Sequence, residues 1–222
     1  MKSLIKNIAL CALLGAAVSA KAVTVGVDPG ASWIGFMNVF SLPTDGGGYQ
    51  FGSSWGTADL CATFSGPTLT LTPNTINDPS SYWYLPSGGP GATGDKTMDA
   101  NMYVEQLGTL SGQLVTFTGN VLANTLVSPY TTVAFIKDFA PDYSSSVSVT
   151  APLVNGVFSI NLTTVNDPLR HVQYGFETIG PDVWATDVAA KGLVQITAVP
   201  EPATFALIGL ASAAMLILRR RK

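Results

Sequence analysis

Histidine and cysteine are nearly missing from this chain of 222 residues, which has one of the first and two of the second. That scarcity removes His-rich metal motifs and weakens any Ser/His or Cys/His nucleophile, since each needs an imidazole held against a partner. The single histidine, His171, falls in Arg170-His171-Val172 at the start of a predicted strand, far from Cys61, and is read as a surface residue. Charge is scarce too, at 11% of residues. Between residues 23 and 199, thirteen acidic side chains stand against Lys96, Lys137, Arg170 and Lys191, a net charge of -9. Such a surface repels phosphate, so nucleic-acid binding, which is built on cationic neutralisation, is not expected. There is no Gly-x-Ser-x-Gly elbow and no Gly-rich phosphate loop leading into a helix. Glycoside hydrolysis needs two carboxylates about 5 to 9.5 Å apart. Glu105, Glu177 and Asp187 are candidates, but no motif surrounds them. The chain is therefore read as a non-enzyme, with no catalytic residue, no metal ligand and no cofactor.

Long apolar runs are absent from the middle and present near both ends. Lys2 and Lys6 precede an apolar run from Ile8 to Val18, and Ala20-Lys21-Ala22 offers an A-x-A cleavage site. Residues 1–22 are read as a secretory signal peptide cut after Ala22. Leu10 stands where a lipobox would need a small residue, so Cys11 is not read as a lipidation site. Cys61 is then the one cysteine left, and no intrachain disulfide can form. It sits in a predicted strand, Ala58 to Phe64, with no Lys, Arg or His within ten residues on either side. An unreactive thiol is expected, because thiolate formation is favoured by nearby cations.

The second apolar run follows Val199-Pro200-Glu201-Pro202. Sixteen residues, Ala203 to Leu218, contain only Thr204 and Ser212 as polar members, and Arg219, Arg220, Arg221 and Lys222 come next. As a helix this run rises about 24 Å, enough for a marginal membrane span when Arg219 snorkels. The basic end is retained on the cytoplasmic side by the positive-inside bias. Pro-Glu-Pro, apolar helix and arginine cluster in this order resemble the PEP-CTERM sorting signal of envelope-exporting bacteria. The resemblance implies that Pro200, Glu201, Pro202, Arg219, Arg220 and Arg221 are sorting residues read by an exosortase-type membrane protease. It also implies that Ala203 to Lys222 are removed, and that the chain passes the inner membrane transiently before reaching the cell surface or extracellular matrix. It carries no activity over to the segment between.

That segment, residues 23–198, reads as one all-β domain, followed by the sorting signal at 199–222. Ser32–Phe40, Tyr49–Phe51, Ala58–Phe64, Thr68–Thr72, Tyr82–Leu85, Asn101–Gln106, Leu114–Thr118, Thr131–Asp138, Ser146–Thr150, Val157–Leu162, Val172–Glu177 and Leu193–Thr197 are short and rich in β-branched or aromatic residues. Asp45-Gly46-Gly47-Gly48, Ser65-Gly66-Pro67, Gly88 to Gly94, Asn155-Gly156 and Gly180-Pro181-Asp182 mark reversals, and Asn155-Gly156 is a type I′ hairpin candidate. Asn77-Asp78-Pro79 and Asn166-Asp167-Pro168 are read as turn starters. An antiparallel two-sheet sandwich or jelly roll is predicted.

Gln173-Tyr174-Gly175-Phe176-Glu177, Gly180-Pro181 and the closing run Gly192 to Thr197 resemble the end of a jelly-roll carbohydrate-binding module. Two functions of different class follow. The preferred one is a non-catalytic structural component of the surface or extracellular matrix. The alternative is a module that grips extracellular polysaccharide through exposed rings, with Trp33, Trp55, Trp83, Tyr84 and Trp184 as candidate contacts. Several Asp and Asn residues leave a Ca²⁺-dependent form of that binding open.

Overall fold

The computed structural model describes residues 22–199. Residues 1–21, which hold most of the signal peptide and Ala20, and residues 200–222, which hold Pro200, Glu201, Pro202, the apolar run and the arginines, lie outside the described residues. The strands in chain order are β1 (Ala22–Val25), β2 (Ile34–Ser41), β3 (Tyr49–Trp55), β4 (Ala62–Ser65), β5 (Thr68–Leu71), β6 (Tyr84–Leu85), β7 (Thr93–Gly94), β8 (Lys96–Leu107), β9 (Leu114–Asn124), β10 (Thr131–Phe139), β11 (Ser146–Pro152), β12 (Gly156–Thr163), β13 (His171–Pro181) and β14 (Val194–Thr197). Two single turns of 3₁₀ helix, Pro43–Asp45 and Val188–Lys191, are the helical elements among the described residues. No helix there is long and apolar enough to cross a membrane.

Two six-stranded sheets pack face to face, with a two-stranded ladder of β6 and β7 at one side. Sheet B runs β11-β10-β13-β8-β2-β3 and is antiparallel throughout. In sheet A, β12 lies along one side of β9, and β1 and β14 lie end to end along the other, against Leu114–Phe117 and Asn120–Asn124. β5 and β4 complete that sheet beyond β14. The β1–β9 pair is parallel, the one departure from the antiparallel expectation. A strand that enters from the amino terminus can fill the gap beside Leu114–Phe117 without a hairpin to set its direction.

The sandwich follows from period-two alternation, since successive strand residues point to opposite faces. In β9, Val115, Phe117 and Val121 turn inward; in β13, Val172, Tyr174 and Phe176 do, and in β8, Met98, Met102 and Val104. Phe117 of sheet A meets Tyr174 and Phe176 of sheet B with ring centroids 5.4 and 5.3 Å apart, and Phe158 closes on Phe117 at 5.3 Å. This aromatic layer joins the two sheets, and burial of such rings dominates core energetics.

Three local expectations are corrected. Ala58–Phe64 is not a continuous strand: Leu60 N–H donates to Gly56 O and Cys61 N–H to Ala58 O, a turn that delays β4 to Ala62. Cys61 occupies that turn at φ 59°, half-buried, with its sulfur 3.6 Å from Thr75 Oγ1. Asn155-Gly156 is not a hairpin, because β11 belongs to sheet B and β12 to sheet A. Its Asn155 side chain instead accepts from Asn124 N–H at 2.8 Å and ties the crossing chain to β9. β8 begins at Lys96 rather than Asn101, because its first residues are held between β2 and β13 in spite of their modest strand preference.

One buried group carries a pH prediction. Asp182 is 1% exposed; its Oδ1 accepts Lys96 N–H at 3.1 Å, and its Oδ2 has no partner among the described residues. Burial, opposed by the Lys96 amide, pushes its carboxyl up to about 6 from 3.8. The folded state therefore holds the proton more tightly than the unfolded chain. Its stabilising share is fully present below about pH 4 and is lost as pH rises through about 6. Asp182→Asn keeps the acceptor for Lys96 but leaves an unpartnered amide, so its gain at pH 7.5 stays below the roughly 3 kcal/mol that a rise from 3.8 to about 6 represents. Melting temperatures from pH 4 to 8 check this: wild type should lose stability across that window more steeply than Asp182→Asn.

Candidate functional site

The outward face of sheet B is the site. The same alternation that sends Val172, Tyr174 and Phe176 inward sends His171, Gln173 and Glu177 outward. Across the ladder, Asp99, Asn101, Tyr103 and Glu105 of β8, Phe36 and Asn38 of β2, and Phe135, Lys137 and Phe139 of β10 share that face. Gly175 sits in the middle of β13 because a Cβ there would lie 2.6 Å from Tyr103 Cα and 2.8 Å from its Cβ. The glycine opens room for the Tyr103 side chain, whose ring centroid lies 6.4 Å from that of Phe135. Phe135 is fully buried on this outward side, under Lys137 Nζ at 4.2 Å from its ring centroid.

Two hydrogen-bonded clusters flank these rings. In the first, Lys137 Nζ donates to Glu177 Oε2 at 2.8 Å and to Asn101 Oδ1 at 3.0 Å. Asn101 Nδ2 and Asn38 Nδ2 both donate to the Asp99 carboxylate, at 2.6 and 3.1 Å. Asp99 is thus the hub that orients two amides. Burial, and next the negative charge of Glu177, raise its carboxyl above the usual range. In the second cluster, Glu105 accepts from Gln173 Nε2 at 2.7 Å and from Tyr143 OH at 3.1 Å, and lies 3.2 Å from His171 Nδ1. Tyr143 OH is itself 2.9 Å from His171 Nδ1, and the two ring centroids are 4.4 Å apart at 30°.

Tyr143 reaches this cluster from the β10–β11 connection, which folds back over the sheet. Tyr143 N–H donates to Ala140 O, and Asp142 accepts from Ser144 N–H and Oγ–H, closing a tight turn. The turn forces Tyr143 to φ 58°, a left-handed conformation that costs a non-glycine residue on the order of 1 kcal/mol. The ring is nonetheless 49% exposed. Loss of hydration, and then the Glu105 carboxylate, push its hydroxyl up to about 12. With Phe139 as a second wall, Tyr143 bounds a groove of about 530 Å³ over Phe36 and Tyr103, edged by Asn38, Asn101, Lys137 and Gln173.

The aromatic residues singled out in the sequence lie elsewhere. Trp33 packs into the core, stacked on Phe176 at 6.1 Å and 18° and tilted against Phe64. Trp55 donates to Ser53 Oγ at 2.8 Å and borders a separate cleft that includes Asp59 and Cys61. Trp83 meets Phe51 edge-on at 6.2 Å, and Trp184 meets Tyr84 edge-on at 5.4 Å. Tyr84 is fully buried, its hydroxyl donating to Ile76 O and accepting from Ile76 N–H, so it is a core residue. These five residues do not form one surface. Ala22, the expected cleavage residue, opens β1 and is exposed.

Of the candidate carboxylates, Glu105 and Glu177 do share a face. The register pairs Glu105 with Gln173 and Glu177 with Asn101, four positions apart along the ladder, about 13 Å of strand. Each carboxylate is held by its own partners, Glu105 by Gln173 and Tyr143 and Glu177 by Lys137. Asp187 accepts from Gly91 N–H at 2.6 Å in another region. Among the described residues, no group of three or more His, Cys, Asp or Glu side chains could hold a metal ion. The residues that build the groove escaped sequence reading because both faces of β8 and β13 carry large side chains; alternation alone did not tell which set turns inward. Asn101-x-Tyr103-x-Glu105 was the available signal.

Residues 198–222 match the family described as the PEP-CTERM protein-sorting motif. No curated protein and no solved structure matches the chain. The match falls on the segment that holds Pro200-Glu201-Pro202, the apolar run and the arginines, and it begins one residue after β14 ends at Thr197. The chain thus presents an all-β domain directly ahead of a PEP-CTERM sorting motif, and that motif marks it as an exported protein sorted through an exosortase.

Proposed function

We propose that this is a non-catalytic protein of the cell surface or extracellular matrix, whose sheet B holds polysaccharide along its outward face. The observation that carries the reading is Tyr143: a half-exposed residue that a tight turn holds at φ 58° and whose hydroxyl meets Glu105 and His171, at the wall of a groove. Backbone strain persists where the surroundings over-determine it, and it clusters at ligand clamps. A ring face beside oriented amides suits a pyranose, which offers an apolar C–H face and equatorial hydroxyls. Asn38, oriented by Asp99 and lining the groove, supplies such an amide. Sorting to the cell envelope supplies the setting in which a polysaccharide partner is at hand.

A purely structural role has one observation in its favour. The outward face of sheet A presents Thr63, Thr70, Thr116, Thr118, Ser159 and Asn161 interspersed with exposed Leu114, Leu122 and Val157, an uncharged surface suited to packing against a neighbour in a matrix. The two roles are compatible on opposite faces. A glycan array probed with residues 23–199 tests the binding role. Retention of one or more polysaccharides is expected, with Tyr143→Ala weakening retention at least tenfold while shifting the melting temperature little. Absence of any retained glycan, or binding that Tyr143→Ala leaves intact, would return the reading to the structural role alone.

A further inference from the structure

We propose that the glycan taken by this groove is a chain of hexosamines bearing free amino groups, with Glu105 as the residue that pairs with the ammonium. The inference rests on the glycan-binding reading of sheet B and names its substrate class. Three carboxylates, Asp99, Glu105 and Glu177, stand on the face against one fixed cation, Lys137, and one imidazole, His171. Lys137 is already engaged by Glu177 and Asn101. Asp99 is engaged by two amides and lies deep in the sheet.

Glu105 differs. Its side chain is 24% exposed, and it borders the groove through Tyr143 and Gln173, two groove-lining residues whose side chains donate to it. Gln173, Tyr143 and His171 take up part of its acceptor capacity, while a carboxylate offers about four lone-pair sites. A sugar seated on Tyr143 would bring an amino substituent to this carboxylate. A uronate would bring a second negative charge to the same place. The wider field acts in the same direction. Residues 23–199 carry a net charge of -9, and three of their four cations are paired, Lys96 with Asp95, Lys137 with Glu177 and Arg170 with Asp138. A potential of one sign steers oppositely charged polymers to the surface and holds like-charged ones off.

The test is isothermal titration of the secreted protein with three oligosaccharides of equal length: a glucosamine oligomer, its N-acetylated counterpart and a uronate oligomer. Oligolysine of matched charge serves as a polycation without sugar rings. The glucosamine oligomer is expected to bind at least tenfold more tightly than the N-acetylated one, and more tightly than oligolysine, with no uronate binding. Glu105→Gln should abolish the preference for the amine, so that the two hexosamine oligomers bind with equal affinity; Ser159→Ala on the opposite sheet should leave both affinities and the preference unchanged. Equal affinity for the two hexosamine chains would overturn the amine pairing and leave the glycan reading standing. A uronate preference, or oligolysine binding as tightly as the glucosamine oligomer, would overturn it as well. A preference that survives in a folded Glu105→Gln protein would remove Glu105 from the pairing role. Failure of all three sugars to bind would overturn the hexosamine assignment, while the glycan reading itself falls only with an empty glycan array.

Discussion

Replacing Phe176 by alanine is expected to remove about 3 to 5 kcal/mol of folding stability, the usual range for a phenylalanine deleted from a packed core. Phe176 is fully buried at the centre of the aromatic layer, within 5.3 Å of Phe117, 6.0 Å of Phe158 and 6.1 Å of Trp33 by ring centroids. Its neighbours come from β9, β12 and the segment before β2, so the cavity would open across the junction of both sheets. Backbone ladders hold those neighbours in place and limit collapse into the space, which sets the expectation toward the upper end. Urea unfolding followed by tryptophan fluorescence measures it. Phe40→Ala, on the outward face beside Tyr49, is the comparison and should cost far less. Equal losses for the two would mean that the layer between the sheets is not the dominant core.

Arg170→Met is expected to destabilise the fold by a similar amount, about 3 to 5 kcal/mol, for a different reason. Asp138 is fully buried near the end of β10, with Oδ1 accepting from Arg170 Nε at 2.8 Å and Oδ2 accepting from Val165 N–H at 2.7 Å. Arg170 also donates through Nη2 to the Asp138 carbonyl at 2.7 Å. The guanidinium fork thus serves side chain and backbone at once and pins the 164–170 connection to β10. Without it the carboxylate stays buried with a single donor, and the uncompensated charge is what destabilises. Arg170→Lys should recover little, because an ammonium cannot reproduce the planar fork. The double variant Asp138→Asn/Arg170→Met should be more stable than Arg170→Met alone. Denaturant midpoints of the three proteins decide it; a double variant no better than the single would refute the charge argument.

Cys61 shows why some elements could not be read ahead. Ala58 to Phe64 looks like a strand by composition, yet the hydrogen bonds from Leu60 to Gly56 and from Cys61 to Ala58 turn the chain there. The turn carries no second glycine or proline after Gly56, so the usual punctuation is missing. The thiol accordingly lies in a left-handed turn against Thr75 rather than within a strand. β7, of two residues, and the parallel β1 are equally illegible, because such short strands are defined by their partners and not by their own propensity, whereas β6 falls inside the Tyr82–Leu85 run read as a strand.

What the amino-acid order determined by itself is local or covalently continuous: the Pro-Glu-Pro tail, the all-β class and most strand positions. Turn residues and period-two alternation act within a few residues of chain, and a sorting motif is read as a linear string. Tertiary structure alone decided which face of each strand is inside. Val104 and Glu105 are neighbours in sequence, yet one joins the core and the other turns to the outward face of sheet B, and of two tyrosines Tyr174 joins the core while Tyr143 walls the groove. Those assignments depend on long-range register, such as Glu105 opposite Gln173 and Lys137 opposite the same residue from the other side. The site is made of residues from five strands, with Ser54 of β3 completing the groove, and one loop, brought together by pairings that span much of the chain. The tryptophans attract attention in a sequence because they are large, but burying large apolar surface is the main driving force of folding, so Trp33, Trp55 and Trp83 pack, partly buried, against the core and the groove is lined by Tyr103 and Tyr143 instead.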